Sequence, residues 1–294
     1  MNVQDLFNVS ENNKKVWVDF ISYVKRLYTS REESDFWSNP DTFISVYSQG
    51  QGLLRSDVLG IPVGDIYFDY LQREQEVAQS WAGRKITFAQ KKLLALEEPR
   101  NFLVSVITGL QNLFQGAEPL VLVLPSPQKW LQLLQQWLGQ EHSQSISDYD
   151  VEAVSMYIAE FLRGLSTLGL SAIVIDECDS PSIEILEALL YYQPILNIAN
   201  HYKWSVGIKI REVPEDAETL KSKVNFLLLK DSDFAQMSLF WEHGIAIGGG
   251  LGKAFWMQNS NSLEVIERGL LYGEIPSETE PEKVLVKLKE VRQS

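Results

Sequence analysis

Short apolar runs, each closed by a polar or small residue, recur along the chain: residues 66–69, 120–126, 172–177, 206–211, 226–231 and 245–250. A run that is apolar at every position predicts a strand covered on both faces, as in a parallel sheet. Its polar last residue marks the end that opens to solvent, and parallel α/β folds bind ligands at that end. Between the runs the apolar positions shift to helical spacing. Val154, Tyr157, Ile158, Phe161, Leu162 and Leu165 predict a helix capped by Asp148 and ended near Gly169. Pro127 opens another, with Trp130, Leu131, Leu134, Trp137 and Leu138 on one side and Gly139 after it.

Val16, Phe20, Tyr23, Val24 and Leu27 predict a helix before the break at Asn39-Pro40, and a second runs from Asp41 to Leu54. The stretch 87–114 reads as helix broken at Pro99, and 140–147 as a loop. Further helices are expected from Pro181 to Tyr192, from Ser262 to Leu271 and from Pro281 to Val291. Without an internal repeat or a linker, residues 1–294 form one expected domain, with 1–60 as an N-terminal helical extension. Six strands alternating with helices fit an open doubly wound sheet or a closed barrel.

Composition narrows the partners. Hydrophobic residues make up 45% of the 294, enough for a sizeable core. The formal net charge of −13 disfavours phosphate backbones, and no Lys/Arg cluster with interleaved aromatics offsets it, so nucleic acid is not expected. No apolar run reaches bilayer length, and Lys14 and Lys15 precede no apolar stretch of a signal peptide. The single cysteine, Cys178, cannot form an internal disulfide; the expected setting is the reducing cytoplasm.

Candidate chemistry gathers at the strand ends. Asp69 closes the first run; it is a site carboxylate, a helix cap or a partner of Arg73. Asp176 and Glu177 close the third, and since neighbours on a strand face opposite ways, one of them at most points inward. Lys209, Arg211 and Lys230 stand at neighbouring ends, where they could hold a substrate carboxylate, form a Schiff base, or pair with the acidic residues. The segment from Gly248 to Lys253 lacks the P-loop pattern; its amides form an anion nest or its glycines serve close packing. His142, His201 and His243 are dispersed and, with one cysteine, give no metal-ligand spacing.

A series of matches in order resembles the uroporphyrinogen decarboxylase family, a TIM-type barrel. Asn39-Pro40-Asp41 precedes Ile66-Tyr67-Phe68-Asp69-Tyr70-Leu71, in place of the family's Phe-Ser-Asp-Ile-Leu. Leu124-Pro125-Ser126-Pro127 leads to Trp130, and Leu168-Gly169-Leu170-Ser171 leads to Ile175-Asp176-Glu177. Tyr272-Gly273-Glu274-Ile275-Pro276 and Glu280-Pro281-Glu282-Lys283-Val284 stand in place of the family's Gly-His-Gly-Ile-x-Pro segment and its sequel. Lys25-Arg26 and Arg31 are loose substitutes for the family's Arg-Gln-Ala-Gly-Arg, and Tyr272 takes the place of its late histidine.

The resemblance implies a (β/α) barrel, shortened or incompletely closed in its C-terminal part. It implies an enzyme of the lyase class, without cofactor or metal, that carries out decarboxylation or related lyase chemistry on a small or aromatic carboxylated substrate other than porphyrinogen. In that scheme Asp69 stabilises a cationic or protonated intermediate, and Glu177 or Tyr272 moves protons. Lys209, Arg211, Lys230, Asp176 and Ser126 bind the substrate. The related corrinoid and thiol methyltransferases suggest methyl transfer without their zinc site, and a decayed barrel that only binds a ligand is a third reading. No nucleic acid or membrane partner is expected; a homodimer is compatible with the chain.

Overall fold

A computed structural model describes residues 3–7, 15–29, 35–139, 145–179, 184–214, 217–242, 246–257 and 269–293. Eight strands lie in one parallel sheet: β1 (Lys15–Asp19), β2 (Leu59–Pro62), β3 (Leu120–Pro125), β4 (Ala172–Asp176), β5 (Ser205–Ile210), β6 (Phe226–Leu229), β7 (Ile247–Gly250) and β8 (Leu270–Glu274). Their order is β1-β8-β7-β6-β5-β4-β3-β2. The helices between them are α1 (Ile21–Tyr28), α2 (Pro40–Leu54), α3 (Val63–Arg73), α4 (Gln75–Gln79), α5 (Ile86–Leu94), α6 (Glu97–Phe114), α7 (Pro127–Trp137) and α8 (Asp148–Arg163). They continue with α9 (Ile185–Tyr191), α10 (Gln193–His201), α11 (Ala217–Lys223), α12 (Phe234–Glu242), α13 (Lys253–Met257) and α14 (Pro281–Gln293). This is a TIM-type (β/α) barrel.

One seam, between β1 and β2, carries no strand ladder. Side chains from the turn before β2 take its place. The Val16 amide donates to Asp57 Oδ2 at 2.8 Å and the Val18 amide to Ser56 Oγ at 3.2 Å, while the Asp57 amide donates to the Val16 carbonyl at 2.8 Å. Otherwise unpaired strand-edge groups thereby find partners.

Two apolar clusters follow the period-2 alternation of the strands. Val16, Val18, Leu122, Ile173, Ile175, Ile208, Leu227 and Leu271 belong to the outer cluster with the helices. Trp17, Val121, Ala172, Val174, Phe226, Leu228, Leu270 and Tyr272 form the inner one. Large and small residues interlock there: a Cβ on Gly207 would lie 2.3 Å from the Phe226 ring. A 3₁₀ helix, Val3–Leu6, adds Val3 and Leu6 to this inner cluster, and the Phe7 ring sits 5.3 Å from that of Phe226.

Several expectations are corrected. Residues 66–69 are not a strand but the middle of α3, because Val63, Ile66, Tyr67, Tyr70 and Leu71 repeat at helical spacing and are buried as one face. The segment 1–60 is not a helical extension, since it contributes β1 and the start of β2. Eight strands replace the expected six. The C-terminal part is closed by the ladders of β7 with β8 and β8 with β1, so the open seam lies on the N-terminal side. Leu270 and Leu271 belong to β8 rather than to a helix.

Ser147, not Asp148, caps α8, in a reciprocal box with Asp150. Pro99 lies in the first turn of α6, where proline is tolerated, so the break falls before it at 95–96. Arg31, His142, Pro181, His243 and most of the expected helix 262–271 lie outside the described residues. Among those described, no helix is long and apolar enough to cross a membrane.

Candidate functional site

The inward positions of the strands end in charge. Continuing the alternation past the inner cluster brings Asp19 on β1, Asp176 on β4, Lys209 on β5, Lys230 just after β6 and Glu274 on β8 to the C-terminal mouth. Register places Asp176 beside Lys209 and Asp19 beside Glu274.

Lys209 is the hub, only 5% exposed. Its Nζ lies 3.0 Å from Asp176 Oδ2 and 2.8 Å from Glu274 Oε1. Asp176 Oδ2 is also 3.0 Å from Lys129 Nζ, in the first turn of α7, and Glu274 Oε2 is 3.1 Å from Lys230 Nζ. Burial works against the Lys209 ammonium, but the Asp176, Glu274 and Asp19 carboxylates outweigh it and hold the pKa well above that of an ordinary lysine. Burial likewise works against the Asp176 and Glu274 carboxylates; the lysines outweigh it and lower both. A lysine held this firmly as a cation is not a Schiff-base nucleophile, so that option is withdrawn.

Asp19 behaves differently. No cation lies within ion-pair distance of it among the described residues. Burial first, then the Glu274 carboxylate, raise its pKa to about 6, although Lys209 pulls the other way. Asp65, in the first turn of α3 and itself raised by burial, adds a smaller push in the same direction. Asp19 also connects two spaces. It lines a small cavity of about 10 Å³ with Trp17, Tyr47 and Tyr272, and a wider pocket of about 400 Å³ at the mouth.

The other expected residues fall in varied places. Asp69 faces the helix layer, 2.9 Å from Arg73, which reaches on to Glu98 of α6; the pairing alternative holds and Asp69 is absent from the mouth. Asp65, four residues earlier, is the carboxylate this segment brings there. Asp176 is the inward member of its pair, and Glu177 turns outward to accept a hydrogen bond from Tyr192. Ser126 is buried and caps α7 by accepting from the Lys129 amide at 3.1 Å.

Tyr272 is buried in the inner cluster edge-on to Trp17, and burial pushes its phenol well up, so it is no ready proton donor. Arg211 is at the rim, claimed by Asp179 at 2.7 Å and Asp231 at 3.2 Å. Lys209 and Lys230 are likewise held by protein carboxylates, as the salt-bridge alternative has it. The Cys178 thiol is buried and pushed up to about 12, which leaves it inert at neutral pH.

The glycine segment after β7 is not an anion nest. The Gly250 amide donates to Ser232 Oγ, Leu251 to the Tyr272 carbonyl, Gly252 to the Ser232 carbonyl and Lys253 to Asp231 Oδ1. Close packing explains the glycines: a Cβ on Gly249 would lie 2.4 Å from Ser232 Oγ, and one on Gly252 2.7 Å from the Asp231 backbone. Among the described residues no group of three or more His, Cys, Asp and Glu is placed to hold a metal.

Sequence reasoning missed Asp19, Glu274, Asp65 and Lys129. The first two obey the same rule that found the others: Val16-Trp17-Val18-Asp19 and Leu270-Leu271-Tyr272-Gly273-Glu274 are apolar runs ending in charge. Fold and site together define a TIM-type barrel with a buried lysine–carboxylate network at its C-terminal mouth. Neither a protein-family model nor a curated protein matches the chain.

Proposed function

We propose that this protein is an enzyme carrying out acid–base lyase chemistry, decarboxylation foremost, on a small carboxylated substrate at the barrel mouth. The observation that carries the reading is Asp19, a carboxyl with a pKa of about 6 set between the Lys209–Glu274 network and an open pocket. An acid poised near neutrality is protonated often enough to give a proton and ionised often enough to take one. The pocket of about 400 Å³ is within the usual range for small-molecule sites.

In this reading the bond from a substrate carbon to its carboxylate breaks and CO2 leaves. The electron pair stays on the carbon, and the Asp19 proton closes the new C–H bond; water then returns a proton to Asp19. Lys230, a cation on the pocket wall, stabilises the negative charge that builds up before protonation. Glu274 positions that ammonium, and Lys209 behind it fixes Glu274. The resemblance to the decarboxylases supports the reaction class alone, because Asp69, its expected carrier, stands in the helix layer.

The test incubates the purified chain with a panel of 2-oxo, 3-oxo, aromatic and amino-substituted carboxylic acids in D2O. Expected are CO2 release and one deuterium at the carbon that lost it, both read by mass spectrometry. Asp19→Asn should lower the rate by roughly 10²-fold or more, and Asp69→Asn should leave it unchanged. Undiminished turnover in Asp19→Asn, or acids bound but never consumed, would overturn the proposal.

A further inference from the structure

The charges around the open pocket are sorted by side. Following the barrel, Arg211 comes after β5, Lys230 after β6 and Lys253 after β7; Glu274 and Glu278 belong to β8 and its exit, and Asp19 closes β1. One arc of the rim is therefore cationic and the next is anionic. Asp231 is the exception by position, but both its oxygens are used, by Arg211 at 3.2 Å and by the Lys253 amide at 3.2 Å. Ile275 and Pro276 give the wall between the ends an apolar stretch.

Subtracting the internal pairs sharpens the picture. Glu274 gives one oxygen to Lys209 and the other to Lys230. Asp19, which takes the Ile21 amide, and Glu278, whose Oε2 accepts from Ser277 Oγ at 3.2 Å, are then the carboxylates without an ion pair among the described residues on the acidic side. Lys253, which has no ion pair among the described residues, is the open cation opposite. A ligand of one sign would satisfy one arc and meet like charge on the other, which costs affinity. A molecule carrying both signs satisfies both.

We infer that this pocket takes a small zwitterion, an amino acid or another amine-bearing carboxylic acid. Its carboxylate lies toward Lys253 and its ammonium toward Asp19 and Glu278. The inference rests on the reading of the mouth as the substrate site and names the substrate class.

The test is a binding measurement on the 294-residue chain, independent of turnover. Thermal-shift screening uses the twenty L-amino acids, 4-aminobutyrate and 6-aminohexanoate, and isothermal titration follows for the best ligand. Two truncated forms of that ligand are titrated beside it: the N-acetylated acid, which lacks the ammonium, and the amine, which lacks the carboxylate. Each should bind at least tenfold more weakly than the parent. Lys253→Gln should weaken the parent and leave the amine unaffected; Glu278→Gln should weaken the parent and leave the N-acetylated acid unaffected.

Binding by none of the zwitterions, or equal affinity for the N-acetylated acid, would overturn the inference. The two proposals fail separately. Zwitterion binding without CO2 release removes the decarboxylation and keeps the ligand class; turnover of acids that lack an amine does the reverse.

Discussion

Replacing Lys209 by methionine tests the network at its centre. The side chain keeps its length and apolar stem and loses only the ammonium. Two contacts disappear, at 3.0 Å to Asp176 and 2.8 Å to Glu274, from a residue only 5% exposed. Asp176 retains Lys129 and Glu274 retains Lys230, but both of those lysines are more exposed. Removing one member of a buried ion pair costs roughly 3–5 kcal/mol, because the partner charge stays buried without compensation. The expected loss at pH 7.5 is therefore about 3 kcal/mol or more, toward the lower end because each carboxylate keeps one lysine.

The pH dependence separates this cause from a packing defect. In the wild-type protein Asp176 and Glu274 have lowered pKa values, so their contribution is present above the ordinary carboxylate range and is lost as pH falls below it. Without Lys209 the desolvation of both groups is less opposed and their pKa values rise. Proton uptake then relieves the variant as pH falls from 7.5 toward 5, where the wild type gains nothing from these groups. Urea denaturation at pH 7.5 and 5.5 should show the stability gap narrowing by more than about 1 kcal/mol. A gap of the same size at both values would refute the electrostatic account.

Asp19→Asn should raise stability at pH 7.5 by up to about 3 kcal/mol, because a folded-state pKa raised to about 6 makes the ionised carboxyl a liability. The gain should vanish near pH 4, where the wild-type group is protonated, and thermal melts across pH 4–8 measure it; an equal gain throughout would count against the buried charge as its cause. Ser56→Ala removes the acceptor of the Val18 amide and should cost about 1–3 kcal/mol, with faster hydrogen exchange at Val18; unchanged exchange there would mean that the seam does not depend on this bond. Gly207→Ala drives a Cβ into the Phe226 ring and should cost roughly 1–3 kcal/mol, partly recovered by adding Phe226→Leu; no recovery would place the strain elsewhere.

The fold was legible where each element stood clear of its neighbours. Strands β3, β4 and β6 each carry an unbroken apolar body, β5 one interrupted by Lys209, and the sequence marks their ends within a residue or two. β1 was hidden because it is only five residues long and ends two residues before α1. Val16 fell into helical step with Phe20, Tyr23 and Val24, which belong to the junction and to the helix. The opposite error befell residues 66–69, whose aromatic and β-branched content suits a strand. Their helical register shows only when Val63 and Tyr70 are counted with them. A four-residue window cannot distinguish periods of 2 and 3.6 when all but its last residue are apolar.

The site was legible in its location and less so in its pairing. The rule that strand ends carry the chemistry brought out Asp176, Lys209 and Lys230, and these meet through Glu274. What the rule could not supply is which charges cancel. That depends on register across the barrel, which sets Asp176 against Lys209 and Asp19 against Glu274, pairs 33 and 255 residues apart in the chain. Asp176 and Glu274 each pair with Lys209 and a second lysine and are lowered, whereas burial and then the Glu274 carboxylate raise Asp19, which has no ion pair among the described residues. Pairing thus sorts these three carboxyl groups into two fixed acceptors and one group that titrates near neutrality. Moving Lys209 one position along β5 would turn it to the outer face and leave Asp176 and Glu274 with one lysine each.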